Sequence, residues 1–119
     1  GRILRGYTNC GGYRGVTGEV KHANGAAYGE VAVGVWSEAW DGKVSVSEPN
    51  GKFELTLTDV PPGRFMVAVV RLETCSQQDG RPTATNCTRL SNVIDNVTTT
   101  QECEGAGANQ VTEIEFVGP

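Results

Sequence analysis

The chain has little of what catalytic and nucleic-acid-binding proteins rely on. It holds one histidine, His22, one methionine, and only 7% aromatic residues among its 119. Any Ser-His-Asp set would have to use His22, which lies beside a turn signal, where a solvated histidine is the plain reading. No two cysteines are spaced C-x-x-C. That absence excludes a thioredoxin-like motif and the close ligand pairs of a four-cysteine zinc site. No D-x-D-x-D-G calcium pattern occurs either. The expectation is therefore no metal, no cofactor and no enzyme. A basic footprint is missing, since the net charge is -4 and the isoelectric point about 4.9, so nucleic acid is not expected as a partner. No apolar run approaches the ~18 residues of a membrane span. Gly1 to Gly6 lack the apolar core of a signal peptide, so a secreted chain would already have lost its leader. Helical periodicity, internal repeats and low-complexity segments are also absent.

What is present favours short strands. Sixteen glycines and five prolines punctuate a Val-rich chain that is 38% apolar, enough for one modest core. Four cysteines, Cys10, Cys75, Cys87 and Cys103, form an even count in a short chain, which favours two disulfides and an oxidising compartment. The expected pairs are Cys75–Cys87 and Cys10–Cys103. The first brackets a polar stretch with Asp79-Gly80 and Pro82 and would clamp the base of a loop. In the second, each cysteine lies just outside a strand pattern, which suits a staple between the first and last strands.

Strand patterns recur along the chain. Val16 and Val20 share one face, with Thr17, Glu19 and Lys21 on the other, and Asn24-Gly25 follows as a turn. Val31, Val33 and Val35 alternate with Ala32, Gly34 and Trp36. Asp41-Gly42 is read as the next turn, before a short strand at Val44 to Ser47. Phe53, Leu55 and Leu57 alternate with Glu54, Thr56 and Thr58. Phe65 to Val70 is apolar on both faces, which implies a central strand covered on both sides. Leu90 to Thr100 suggests one or two strands, and Gln110 to Val117 a last one with Ile114 and Phe116 inward. The expected core is Val31, Val33, Val35, Phe53, Leu55, Leu57, Phe65, Val67, Val69, Ile114 and Phe116. Gly1 to Asn9 and Gly105 to Ala108 are expected to be irregular.

The run Val16-Thr17-Gly18-Glu19-Val20, then Asn24-Gly25 and Val31-Ala32-Val33, resembles the carboxypeptidase regulatory-like domain. The likeness continues through Asn50-Gly51-Lys52-Phe53-Glu54-Leu55 and Pro61-Pro62-Gly63-Arg64-Phe65-Met66-Val67. The Trp36 to Trp40 stretch, Ser91-Asn92-Val93 and the last cysteine-then-strand pattern also resemble modules of large bacterial surface proteins. The resemblance implies an Ig-like or prealbumin-like antiparallel β-sandwich of about seven strands, non-catalytic, in an extracellular or cell-surface protein. Related Cna-B-type pilus modules carry a Lys–Asn isopeptide bond, which needs a core-facing lysine. Lys21 falls on the outward face, so the disulfides are expected to be the staples instead.

Four groups of residues are candidates for function. The aromatics Tyr28, Trp36 and Trp40 sit close in sequence, and exposed rings stack on sugars or on a partner's apolar surface. The plain alternative is that Trp36 covers the sandwich edge. Glu113 and Glu115 share a face of the last strand, and paired carboxylates can serve glycoside hydrolysis, although a solvated strand face explains them better. Asn86-Cys87-Thr88 and Asn96-Val97-Thr98 are glycan acceptor tripeptides. Residues 1–9 form an N-terminal arm outside a single domain at 10–119. The arm carries Ile3, Leu4 and Tyr7, and ordering eight residues costs on the order of 10 kcal/mol of backbone entropy. A sheet edge can return that cost, so the arm is expected to dock on its own sandwich or on a neighbour's, and addition as a strand to a neighbouring subunit would give self-association into a filament. Other surface proteins and carbohydrate are the remaining expected partners.

Overall fold

The computed structural model describes residues 1–118. Its strands, in chain order, are β1 Arg2–Tyr7, β2 Gly15–Lys21, β3 Ala32–Ser37, β4 Trp40–Val46, β5 Lys52–Thr56 and β6 Gly63–Arg71. After a 3₁₀ turn at Leu72–Thr74 come β7 Gln77–Gln78, β8 Arg81–Pro82, β9 Thr88–Arg89, β10 Ile94–Thr99 and β11 Val111–Val117. One sheet has the order β1-β11-β2-β5 and the other β10-β6-β3-β4, with β9 also on β6. The protein is thus an all-β sandwich with two disulfides, Cys10–Cys103 and Cys75–Cys87. Every pairing is antiparallel except β11 with β2, which run parallel from Val111 opposite Gly15 to Val117 opposite Lys21. First and last long segments of the domain therefore lie side by side, which closes the chain on itself.

The core sits where the inward faces of both sheets meet. Val16 and Val20, Phe53 and Leu55, and Ile114 and Phe116 come from one sheet; Val33, Val35, Phe65, Val67, Ile94 and Val97 come from the other. Strand alternation puts each of these on the same side of its pleat. Two residues expected in the core, Val31 and Val69, are only partly buried, because they lie where the sandwich opens at one end.

Among the described residues the strand total is eleven rather than about seven. The surplus has two sources: β7, β8 and β9 are two-residue strands around the clamped loop, and residues 2–7 form β1 rather than an irregular arm. Within the clamped loop, Asp79 and Gly80 both take positive φ (54° and 78°) and join β7 to β8. Two positive φ values are what a type I′ hairpin turn requires.

The clamped loop is the second cover that β6 needs. Ala68 and Val70 point away from the core yet are 0% and 3% exposed. The loop folds over this outer face, where Ala84 donates its N–H to the Asp41 carbonyl at 2.9 Å. Gly34 makes the approach possible, since a Cβ there would stand 3.2 Å from the Ala84 Cβ.

Asp41-Gly42 is not the turn that the dipeptide suggests. Ser37 faces Trp40, so the chain reverses at Glu38-Ala39, and Asp41-Gly42 lies inside β4. The register shifts between Val35 and Ser37, and Gly42 has φ +85°, the bulge conformation that favours glycine.

Candidate functional site

The outer face of the β1-β11-β2-β5 sheet carries the carboxylate pair. Glu115 meets Arg2 at 3.5 Å and Lys21 at 3.3 Å, and Glu19 meets Lys21 at 4.0 Å. Glu113 accepts a hydrogen bond from Arg5, which holds its carboxyl below the usual carboxylate range against the opposing effect of burial. Both glutamates are thus acceptors in a cross-strand ion ladder. Lys21 belongs to the same ladder, on the outward face. His22 stacks on Tyr28 with centroids 3.9 Å apart. Among the described residues, the only cluster of potential metal-ligating groups is Cys10, Cys103 and Glu104, and its two sulfurs are bonded to each other.

The three aromatics are not brought together. Tyr28 lies under His22 before β3 begins. Trp36 lies on the outward face with the Arg89 guanidinium 4.8 Å above its ring. Trp40 turns inward and meets Phe65 edge-on at 6.0 Å. Tyr28 and Trp36 are separated by the length of β3, and Trp36 and Trp40 lie on opposite faces of one sheet.

The two acceptor tripeptides reach solvent. Asn86 is exposed in the clamped loop and donates to the Ser76 hydroxyl at 2.8 Å. Asn96 is exposed on β10, within a break of register between Ile94 and Val97.

Residues 1–9 are placed in detail. β1 pairs antiparallel with β11 of its own chain, with a bulge at Leu4 between Ile3 opposite Ile114 and Arg5 opposite Glu113. Ile3 turns inward against the core, whereas Leu4 is 50% exposed. Tyr7 is half-buried under the Arg5 guanidinium, 4.8 Å from its ring. The chain then turns around Gln110, a buried side chain whose Oε1 accepts the N–H groups of Asn9 (2.9 Å) and Cys10 (3.2 Å). Cys10 has φ +47°, uncommon for a residue with a Cβ, and is bonded to Cys103. A second buried polar group lies nearby. Arg14 is 7% exposed, donates to the Thr58 carbonyl at 2.8 Å, and has no carboxylate within 4 Å among the described residues.

An apolar cleft of about 770 Å³, which no motif in the sequence marks, lies at the end of the sandwich near the start of β3. Of the five large apolar side chains that are strongly exposed, four line it: Val46, Leu72, Leu90 and Val117. Val31 and Val69 form part of its floor, and Glu30, Arg71 and Glu73 part of its rim. One signal was available. Leu72 and Leu90 stand just outside the two ends of the clamped loop, Leu72 beyond the Phe65 to Val70 run and Leu90 at the head of the Leu90 to Thr100 segment. An exposed apolar patch rimmed by polar groups is the usual mark of a contact site. Compared with known proteins, the chain matches no family model, no curated protein and no solved structure.

Proposed function

We propose that the chain is a non-catalytic structural module of an extracellular or cell-surface assembly, and that copies of it join through strand β1. The observation that carries this reading is the position of β1. It is a sheet edge, it lies N-terminal to both disulfides, and it is paired with one strand only, β11. Leaving its own sheet would break no covalent bond, and every partner it has there exists on a second copy. The ladder hydrogen bonds, the Arg2–Glu115 and Arg5–Glu113 pairs and the Ile3 slot would all be restored in trans. Two disulfides agree with an oxidising compartment, and no helix among the described residues is long and apolar enough to cross a membrane. The resemblance to carboxypeptidase regulatory-like modules points the same way, as does the lack of a catalytic constellation around His22 or the glutamates.

The test is pairing in trans. A labelled peptide of residues 1–8 is titrated into a chain that begins at Asn9, with fluorescence anisotropy as the readout and circular dichroism to verify the fold. Saturable binding to the shortened chain and none to the intact chain, whose β11 is already covered, is the expected result. No binding to a folded, shortened chain removes the reading.

A second reading, adhesion by apolar contact, rests on the cleft that gathers Val46, Leu72, Leu90 and Val117. Carbohydrate binding through aromatics has less support, because His22 covers Tyr28 and Arg89 covers Trp36.

A further inference from the structure

We infer that the Cys10–Cys103 bridge is a latch on strand exchange: it sets the length of the hinge behind β1, and so decides whether β1 pairs with its own β11 or with that of a second copy. The inference rests on the reading above, that copies join through β1. The contacts of β1 are the same in cis and in trans, so contact energy does not choose between the two states. Reach does. The connection to β2 is Thr8 to Arg14, Thr-Asn-Cys-Gly-Gly-Tyr-Arg. With the bridge closed, Cys10 is tied to Cys103, and the N–H groups of Asn9 and Cys10 are both held by Gln110. Only Thr8 and Asn9 remain as a hinge, a segment that spans at most ~7 Å.

With the bridge open and the two Gln110 hydrogen bonds released, the hinge runs from Thr8 to Tyr13 and spans ~20 Å when extended. Two of its residues are the freely turning Gly11 and Gly12, the latter already at φ +87°. The longer hinge reaches roughly three times as far as the shorter one, and that added reach is what would let β1 pair with the β11 of a second copy. Cys10 is exposed, so its sulfur is open to attack. A dithiol opens the bridge by thiol–disulfide exchange: its two sulfurs become a disulfide, and its two electrons and two protons leave Cys10 and Cys103 as thiols. A chain that meets a second copy before it is oxidised reaches the same open state.

The test uses the full chain and leaves Cys75–Cys87 intact. Six proteins are compared by size-exclusion chromatography with light scattering at equal concentration, after circular dichroism verifies folding. They are the parent, the double variant Cys10→Ser/Cys103→Ser, a variant with Gly-Ser-Gly-Ser inserted between Thr8 and Asn9, and each of these three carrying Ile3→Asp. The insertion lengthens the hinge while the bridge stays closed, so it separates reach from any loss of stability. The expected result is a monomeric parent, a mass at least doubled for the double-serine and insertion variants, and a return to monomer with Ile3→Asp. A closed-bridge parent that already associates, and is made monomeric by Ile3→Asp, overturns the latch and leaves the reading standing. Monomeric double-serine and insertion variants overturn the latch, with the peptide titration then deciding the reading. Oligomers that persist with Ile3→Asp overturn both.

Discussion

Glu113 shows how much one exposed side chain can contribute to an edge strand. Its hydrogen bond from Arg5 ties the middle of β1 to β11 next to the bulge at Leu4. Because the bond lowers the carboxyl's folded-state pKa, its contribution is present above the usual carboxylate range and is lost as pH falls through the lower folded value. Both partners face solvent, so the effect is local and is expected to appear as looser pairing of β1 rather than global unfolding. Hydrogen exchange of the β1 amides is the measurement. Glu113→Gln is expected to exchange faster than the parent at neutral pH, with the two converging at acid pH, where the parent's carboxyl is protonated. A difference that persists or grows in acid would show that the charge is not what holds the strand. A different residue-scale effect acts at Gly18, where a Cβ would collide with the Ile114 carbonyl and the Phe53 ring. There the lack of a side chain lets the core close.

At the scale of elements, the clamped loop is a packed cover on the outward face of β3 and β6. Beneath it, Ala68 and Val70 are as dry as the core proper. Gly34→Val is expected to push on Ala84, lift the loop and cost about 1–3 kcal/mol, the usual range for overpacking. Limited proteolysis should then cut within 76–86 while the sandwich stays resistant. Unchanged protease resistance would mean that the loop is held by its disulfide and hydrogen bonds alone. The loop's turn was readable, since Asp-Gly flanked by short extended segments specifies a tight hairpin. Its docking was readable only indirectly, from the two apolar faces of Phe65 to Val70. At Asp41-Gly42 the same dipeptide forms a bulge, because a glycine with positive φ serves a bulge as well as a turn, and pairing with β3 decides which.

For the whole molecule, the two bridges differ in what they constrain. Cys75–Cys87 closes 12 residues and Cys10–Cys103 closes 93. By loop-closure entropy the first contributes about 3 kcal/mol and the second a little under 5, against a total near 5–15 for a domain of ordinary stability. Cys10→Ser/Cys103→Ser is therefore expected to lower the denaturation midpoint more than Cys75→Ser/Cys87→Ser. Urea unfolding followed by the tryptophan signal measures this. The reverse order would mean that the covering loop, and not the closed chain, dominates the stability.

Taken alone, the sequence determined everything that depends on near neighbours. Alternation of Val16 with Val20, of Phe53 with Leu55 and of Ile114 with Phe116 assigned strands and their inward faces, because a pleat admits only two directions for a side chain. The flanking patterns around four cysteines were enough to pair them correctly. What the tertiary structure decided depends on which strands become neighbours. The inward slot beside Ile114 and Phe116 turned residues 2–7 into β1, where local glycines and arginines suggested an irregular arm. Trp36 kept the outward face that its alternation assigned, while the reversal at Glu38-Ala39 sent Trp40 inward, dispersing a cluster that was close only in chain position. Val31 and Val69 alternate as core residues should, yet the two sheets part at that end. Their half-burial, and the cleft they line with Leu72 and Leu90, follow from where the sandwich stops closing, which no single strand encodes.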